Sequence, residues 1–111
     1  MAWRRHGKFN NIKTVYNGRQ FDSKKEANHA AILDALRRHK EPKEKVVAVQ
    51  YQYKIPLVVN GMKVADYYAD FYVSFGDGRK EIHDVKGVKT AVYNLKKKMV
   101  KAIYGEDIKE F

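Results

Sequence analysis

The segment KVADYYADFYVSFGDGRKEIHDVK, residues 63–86, decides the fold. It reads as two strands rich in Tyr, Val and Phe joined through Gly76-Asp77-Gly78. β-Branched and aromatic side chains suit a pleated, half-buried surface, and a Gly-Asp-Gly cluster suits a tight turn. The first strand runs from Lys63 to Phe75 and the second from Arg79 to Lys86. Alternate residues of a strand share a face, so Asp84 and Lys86 point the same way and Val85 points opposite. Where Asp70 points depends on the turn. If the loop is the three residues 76–78, Phe75 pairs with Arg79 and Asp70 lies opposite Asp84. A two-residue Asp77-Gly78 loop pairs Asp70 with Val85 and turns its carboxylate away. Both loop lengths are common.

Upstream, Asn60-Gly61 signals a tight hairpin leading into the long strand, and Val46 to Tyr53 reads as another strand. Pro56 lacks an N–H, so Ile55–Val59 is expected as a separate edge segment. Before these, Ser23 followed three residues later by Glu26 forms a capping box. It opens a helix that should reach about His39, with Ala27, Ala30, Ala31, Ala35 and Leu36 as its apolar stripe. Lys13–Tyr16 and Arg19–Phe21 flank Asn17-Gly18 as a small hairpin. Downstream, Thr90 to Tyr104 is a second helix ended by Gly105, with Val92, Leu95, Met99, Ala102 and Ile103 inward. Lys96, Lys97, Lys98 and Lys101 fall largely outside, and Asp107–Phe111 supplies a short last strand. The expected architecture is α/β: helix, three strands, helix, strand, with an added N-terminal hairpin. The final strand–helix–strand unit makes its two strands parallel.

The chain has 111 residues, enough for one domain with a real core. A basic arm, residues 1–12, precedes the domain at 13–111. With 44% apolar and 32% charged residues it is globular rather than disordered. The absence of cysteine excludes disulfides and Cys-based zinc sites and fits a reducing, cytoplasmic setting. Apolar runs are too short for a membrane span, and the N-terminus has no apolar stretch resembling a secretory signal.

The net charge is +10 and it is clustered. Residues 1–25 net +6, residues 86–111 net +4, and the stretch between is neutral. Basic ends around a neutral centre fit a polyanion gripped by the termini. Arg4, Arg5, Lys8 and Lys13 are the first candidates for phosphate contacts, followed by Lys24, Lys25, Lys96, Lys97 and Lys98. A solvated helix face explains the last three equally well.

Asp70 and Asp84, if they meet on one face beside Lys86, form a hard-cation site suited to Mg²⁺. Unneutralised carboxylates at that distance repel and raise each other's pKa. The bland alternative is a hairpin with a cross-strand Asp–Lys salt bridge. Glu26 likewise has a bland account, the capping box. Asp66 lies four residues before Asp70 and is a competing ligand. Tyr51, Tyr53, Tyr67, Tyr68 and Tyr72 are read mainly as strand-forming core or dimer-face residues, with base stacking as the lesser reading. The histidines His6, His29, His39 and His83 share no ligand spacing. His83 should face away from Asp84 and pack in the core.

Ala69-Asp70-Phe71 with Asp84-Val85-Lys86 resembles the PD-(D/E)XK nuclease signature, with Ala69 in place of its proline. The element order resembles that superfamily's αβββαβ core with its mixed central sheet, and Glu26 sits where many members carry an acidic residue. The likeness is closer to small phage-encoded members and archaeal-type Holliday junction resolvases. Phe21-Asp22-Ser23-Lys24-Lys25-Glu26-Ala27, Asp84-Val85-Lys86-Gly87 and Leu95-Lys96-Lys97-Lys98 carry that likeness from about residue 13 onward. The resemblance implies that Asp70, Asp84 and the Val85 carbonyl bind Mg²⁺, with Mn²⁺ as a substitute. Lys86 would position or activate the attacking water, and Glu26 would hold a second metal or the water.

The expected function is Mg²⁺-dependent endonucleolytic cleavage of branched DNA, resolving four-way junctions by paired cuts as a homodimer. Ile55–Val59 is the candidate interface. The alternatives are a nuclease acting on ends, flaps or nicks, and a non-catalytic nucleic-acid-binding module. No small-molecule cofactor and no membrane partner is expected.

Overall fold

A computed structural model describes residues 13–86 and 88–111. The expected basic arm at 1–12, with Arg4, Arg5 and Lys8, lies outside them. The chain begins with a hairpin, β1 (Thr14–Tyr16) and β2 (Arg19–Phe21). Asn17 and Gly18 have φ of 51° and 80°, the pair of left-handed residues that a type I′ turn requires. Helix α1 (Lys24–Leu36) follows, capped by Ser23, whose hydroxyl accepts the Glu26 N–H at 3.1 Å.

Two long strands come next, β3 (Val46–Val59) and β4 (Met62–Phe75), and then the short β5 (Lys80–Asp84). Helix α2 (Ala91–Tyr104) then crosses over to β6 (Ile108–Glu110). The four strands form one mixed sheet in the order β3-β4-β5-β6. The first two pairings are antiparallel and the β5–β6 pairing is parallel, as the strand–helix–strand ending requires. Among the described residues no helix is long and apolar enough to cross a membrane.

Two apolar clusters hold the helices to the sheet. Under α1 lie Phe21, Ala27, Ala30, Leu33, Val46, Phe71, Val73, Phe75 and Val85. Under α2 lie Ile55, Leu57, Tyr67, Ala69, Ile82, Tyr93, Val100 and Ile108. Each fully buried side chain of this kind, such as Phe71 or Leu57, contributes about 1.5–3 kcal/mol relative to exposure. Strand β3 serves both clusters: Val49 and Tyr51 pack against the first, Tyr53, Ile55 and Leu57 into the second. The change falls at Gln52, whose φ is 50°. A left-handed non-glycine residue costs about 1–2 kcal/mol.

Four expectations are corrected. Pro56 does not split β3, which is one continuous strand. As the outer strand of the sheet it tolerates a residue without an N–H. Helix α1 ends at Leu36 rather than near His39, because residues 37–39 turn tighter, each N–H bonding three residues back. Its buried face is Glu26, Ala27, His29, Ala30 and Leu33, while Ala35 is exposed. In α2 the buried residues are Tyr93 and Val100, and Val92 and Leu95 are 61% and 59% exposed. Counting Lys as an outward residue caused that error. Lys96 and Lys97 sit three and four residues after Tyr93 and lay their stems on the buried side, reaching polar partners with the ammonium.

His83 packs in the core as expected, with His29 as its partner. His29 Nε2 and His83 Nδ1 lie 2.9 Å apart, and His83 Nε2 is 2.8 Å from Glu81 Oε1. A carboxylate only accepts, so His83 donates from Nε2 and accepts on Nδ1 from the His29 N–H. Both rings are then neutral. Burial, with the neighbouring His83 adding to it, pulls His29 from 6.5 down to about 4. Stability from this group is therefore complete above 6.5 and is lost as pH falls toward 4, by about 3 kcal/mol in all. His29→Gln can still donate to His83 but cannot charge. Thermal midpoints between pH 7 and 4.5 should fall less in that variant than in the parent. Equal slopes would place the acid sensitivity elsewhere.

Candidate active site

The turn after β4 settles the register. Phe75 N–H donates to the Arg79 carbonyl at 2.9 Å and Gly78 N–H to the Phe75 carbonyl at 3.0 Å, so the loop is the three residues 76–78. The ladder pairs Ser74 with Lys80 through to Phe71 with His83. The ladder ends there, and the same register carried one step further would set Asp70 across from Asp84.

Asp84, the last residue of β5, is completely buried. The Tyr67 hydroxyl donates to its Oδ2. Its Oδ1 lies 2.9 Å from Lys86 Nζ but makes no well-directed hydrogen bond. The Lys86 ammonium also stands 4.4 Å from the centre of the Tyr93 ring, on α2. Asp84 and Lys86 thus share a face, and Val85 packs on the other, in the first cluster.

Asp70 sits in the middle of β4, and its Oδ2 accepts the Val85 N–H at 2.8 Å. Burial pushes its pKa up, against the pull of the Val85 N–H, Lys86 and a side-chain hydrogen bond from Gln52. Burial likewise raises Asp84, against Lys86.

Glu26 is 8% exposed. Its N–H takes the cap from Ser23, yet its carboxyl makes no hydrogen bond back to Ser23, so the capping box is only half formed. The carboxyl instead faces the other acids. Burial first, then the charges of Asp70, Asp22 and Asp84, lift it to about 7, with Lys86 opposing. A cleft of about 130 Å³ opens on Glu26 and Asp70, walled by Arg19, Asp22, Tyr51 and Gln52. Asp84 lies behind it, closed from solvent.

No three Asp, Glu or His side chains among the described residues converge tightly enough to enclose an ion by themselves. Mg²⁺ does not need that, since it commonly takes one or two carboxylates and keeps several waters. Two buried carboxylates on neighbouring strands, Asp84 with an oxygen lacking a hydrogen bond, have the donor chemistry for it. Lys86 supplies the positive charge at Asp84.

The basic candidates divide. Lys24 and Lys98 are exposed. Lys13 lies 3.9 Å from Asp22. Lys25 donates to the Lys86 carbonyl at 3.2 Å, tying the start of α1 to the end of β5. Lys96 donates to the Asp66 carbonyl at 2.8 Å and Lys97 pairs with Glu110 at 3.2 Å. Asp66, the competing ligand, is paired with Lys63 at 3.0 Å. Sequence reasoning passed over Gln52, Tyr93 and Arg19, whose guanidinium lies 4.1 Å over the Tyr51 ring, and read Tyr67 only as a strand tyrosine.

A family model described as "Protein of unknown function (DUF1064)" matches residues 6–110. The chain belongs to the DUF1064 family. The match spans the hairpin, both helices, the sheet and every carboxylate of the site. No curated protein and no solved structure matches the chain.

Proposed function

We propose that this DUF1064 chain is a Mg²⁺-dependent DNA endonuclease of the PD-(D/E)XK type, cutting four-way junctions in pairs as a homodimer. One observation carries the reading. The three-residue loop gives the register that brings Asp70 across from Asp84, Lys86 lies 2.9 Å from Asp84, and the buried Glu26 carboxyl feels the charges of both acids.

Bound Mg²⁺ would supply Lewis-acid polarisation of the scissile phosphate. Asp70 and Asp84, with the Val85 carbonyl, are the residues that would hold it. Val85 N–H keeps Asp70 oriented, and Tyr67 does the same for Asp84. Lys86, beside Asp84, would orient the attacking water and offset charge growing on the phosphate oxygens. Glu26, titrating at about 7, can accept the water's proton at neutral pH. The charge of +10 supports recognition by backbone and shape rather than by base contacts.

The Lys86–Asp84 pair also fits a purely structural hairpin, and that favours the non-catalytic binder as the second reading. A labelled four-way junction beside the matching linear duplex, with Mg²⁺ or EDTA, tests both. Paired cuts on the junction alone, lost in EDTA, are expected. Single cuts near ends or flaps would discard the resolvase and keep the nuclease. Tight binding without cleavage in Mg²⁺ or Mn²⁺ would overturn the enzyme.

A further inference from the structure

Gln52 stands out on backbone grounds alone. Every other described residue with positive φ is Asn or Gly: Asn17, Gly18, Asn60, Gly61, Gly78 and Gly105, all in turns or at a helix end. Gln52 has a φ of 50° in the middle of a strand. The β3–β4 ladder pairs Tyr51 with Phe71 and Tyr53 with Ala69 and skips the pair between them, Gln52 and Asp70. If the chain needed only a change of face there, glycine would provide it without strain. What glycine lacks is the amide. That amide reaches the Asp70 carboxylate and lines the cleft that Asp70 shares with Glu26.

We infer that Gln52 is a positioning residue for the Asp70 carboxylate in a divalent-metal site. The inference rests on the reading of Asp70 as a metal ligand. Asp70 lies on β4 between its two neighbours, taking an N–H from one and standing beside the Gln52 amide of the other in the same cleft. The Val85 main chain comes from the β5 side at 2.8 Å, and the Gln52 side chain comes from β3. Held from both sides, the carboxylate has one orientation. Partners of this kind typically change metal affinity by about 10–100-fold. The left-handed backbone turns the edge strand so that its amide can reach across. A strictly alternating strand would also leave Tyr53 on the face of Tyr51.

The test is calorimetric titration of the full chain with Mn²⁺ alone, without nucleic acid, for the parent, Gln52→Gly and Gln52→Asn. Gln52→Gly relieves the backbone and should melt at or above the parent. Its Mn²⁺ dissociation constant should rise about 10–100-fold. Cleavage by that variant should recover when Mn²⁺ is raised to saturation, which a merely structural role would not produce. Gln52→Asn keeps a residue tolerant of positive φ but shortens the amide, so it should weaken Mn²⁺ binding at unchanged stability. It carries the test if the glycine variant does not fold. Mn²⁺ affinity within twofold of the parent in a folded variant overturns the role of Gln52 alone. A parent that binds no Mn²⁺ at millimolar concentrations overturns the metal centre and Gln52 with it. A parent that binds Mn²⁺ but cuts no DNA overturns the nuclease, while a loss of affinity in Gln52→Gly still supports the positioning role.

Discussion

Lys86→Ala should reduce Mg²⁺-dependent cleavage by at least about 10²–10³-fold, the usual loss when one charge-stabilising donor leaves an active site. Junction binding should stay within a few fold, since one partly buried ammonium is a small share of the phosphate contacts. The same change should also lower stability and make it respond to metal. Lys86 is the cation 2.9 Å from Asp84, a fully buried carboxylate. Removing one partner of a buried pair costs about 3–5 kcal/mol. The Lys86 side chain is a quarter exposed, so the low end of that range applies. Burial already raises the pKa of Asp84 and Lys86 opposes it, so without Lys86 the carboxyl takes up a proton more readily. A raised folded pKa gives stability at low pH that is lost as pH rises. The variant should therefore be most destabilised above neutrality, and there Mg²⁺ should raise its thermal midpoint more than the parent's. Full cleavage by Lys86→Ala would make the lysine structural. An equal response of parent and variant to Mg²⁺ would separate the ion from Asp84.

Short-range signals carried most of the fold. Asn17-Gly18 and Asn60-Gly61 force their turns because both residues of each must be left-handed. Gly76-Asp77-Gly78 left two registers open, and main-chain bonds between Phe75, Gly78 and Arg79 decide between them. Asp84 and Lys86 share a face by strand periodicity alone, and that part of the site was legible. Helix faces were read less well. In α1 an Ala count missed His29, whose ring is buried because it meets His83, 54 residues away in the chain. In α2 the lysines that looked solvated cover part of the buried side. The remaining parts of the site depend on distant segments meeting. Tyr67 reaching Asp84, the Tyr93 ring under Lys86 and the turned backbone of Gln52 have no signature in local pattern. Each needs the sheet and α2 already packed.

Glu26→Gln should make the protein more stable and less active, and the stability gain should depend on pH. The capping box predicts the opposite, because a carboxyl answering the Ser23 N–H would be held ionised and would stabilise the helix. In the fold only the Ser23 half exists, and Glu26 is buried among Asp70, Asp22 and Asp84. Its pKa rises from 4.5 to about 7. Between those values the folded state holds a proton that the unfolded state has released, so stability falls as pH rises through that window. Above pH 7 the charged Glu26 costs about 3 kcal/mol relative to its protonated form. Glutamine never carries that charge. At pH 8 the variant should melt several degrees above the parent, and near pH 4.5 the two should coincide. The Ser23 cap needs only the residue-26 N–H, so it survives the change. Cleavage should fall by about 10²–10⁴-fold, the usual contribution of a positioned general base. Opposite signs in the two measurements mark a carboxylate kept ionisable for chemistry at the expense of stability. Matching pH profiles for parent and variant would return Glu26 to solvent and take it out of the site.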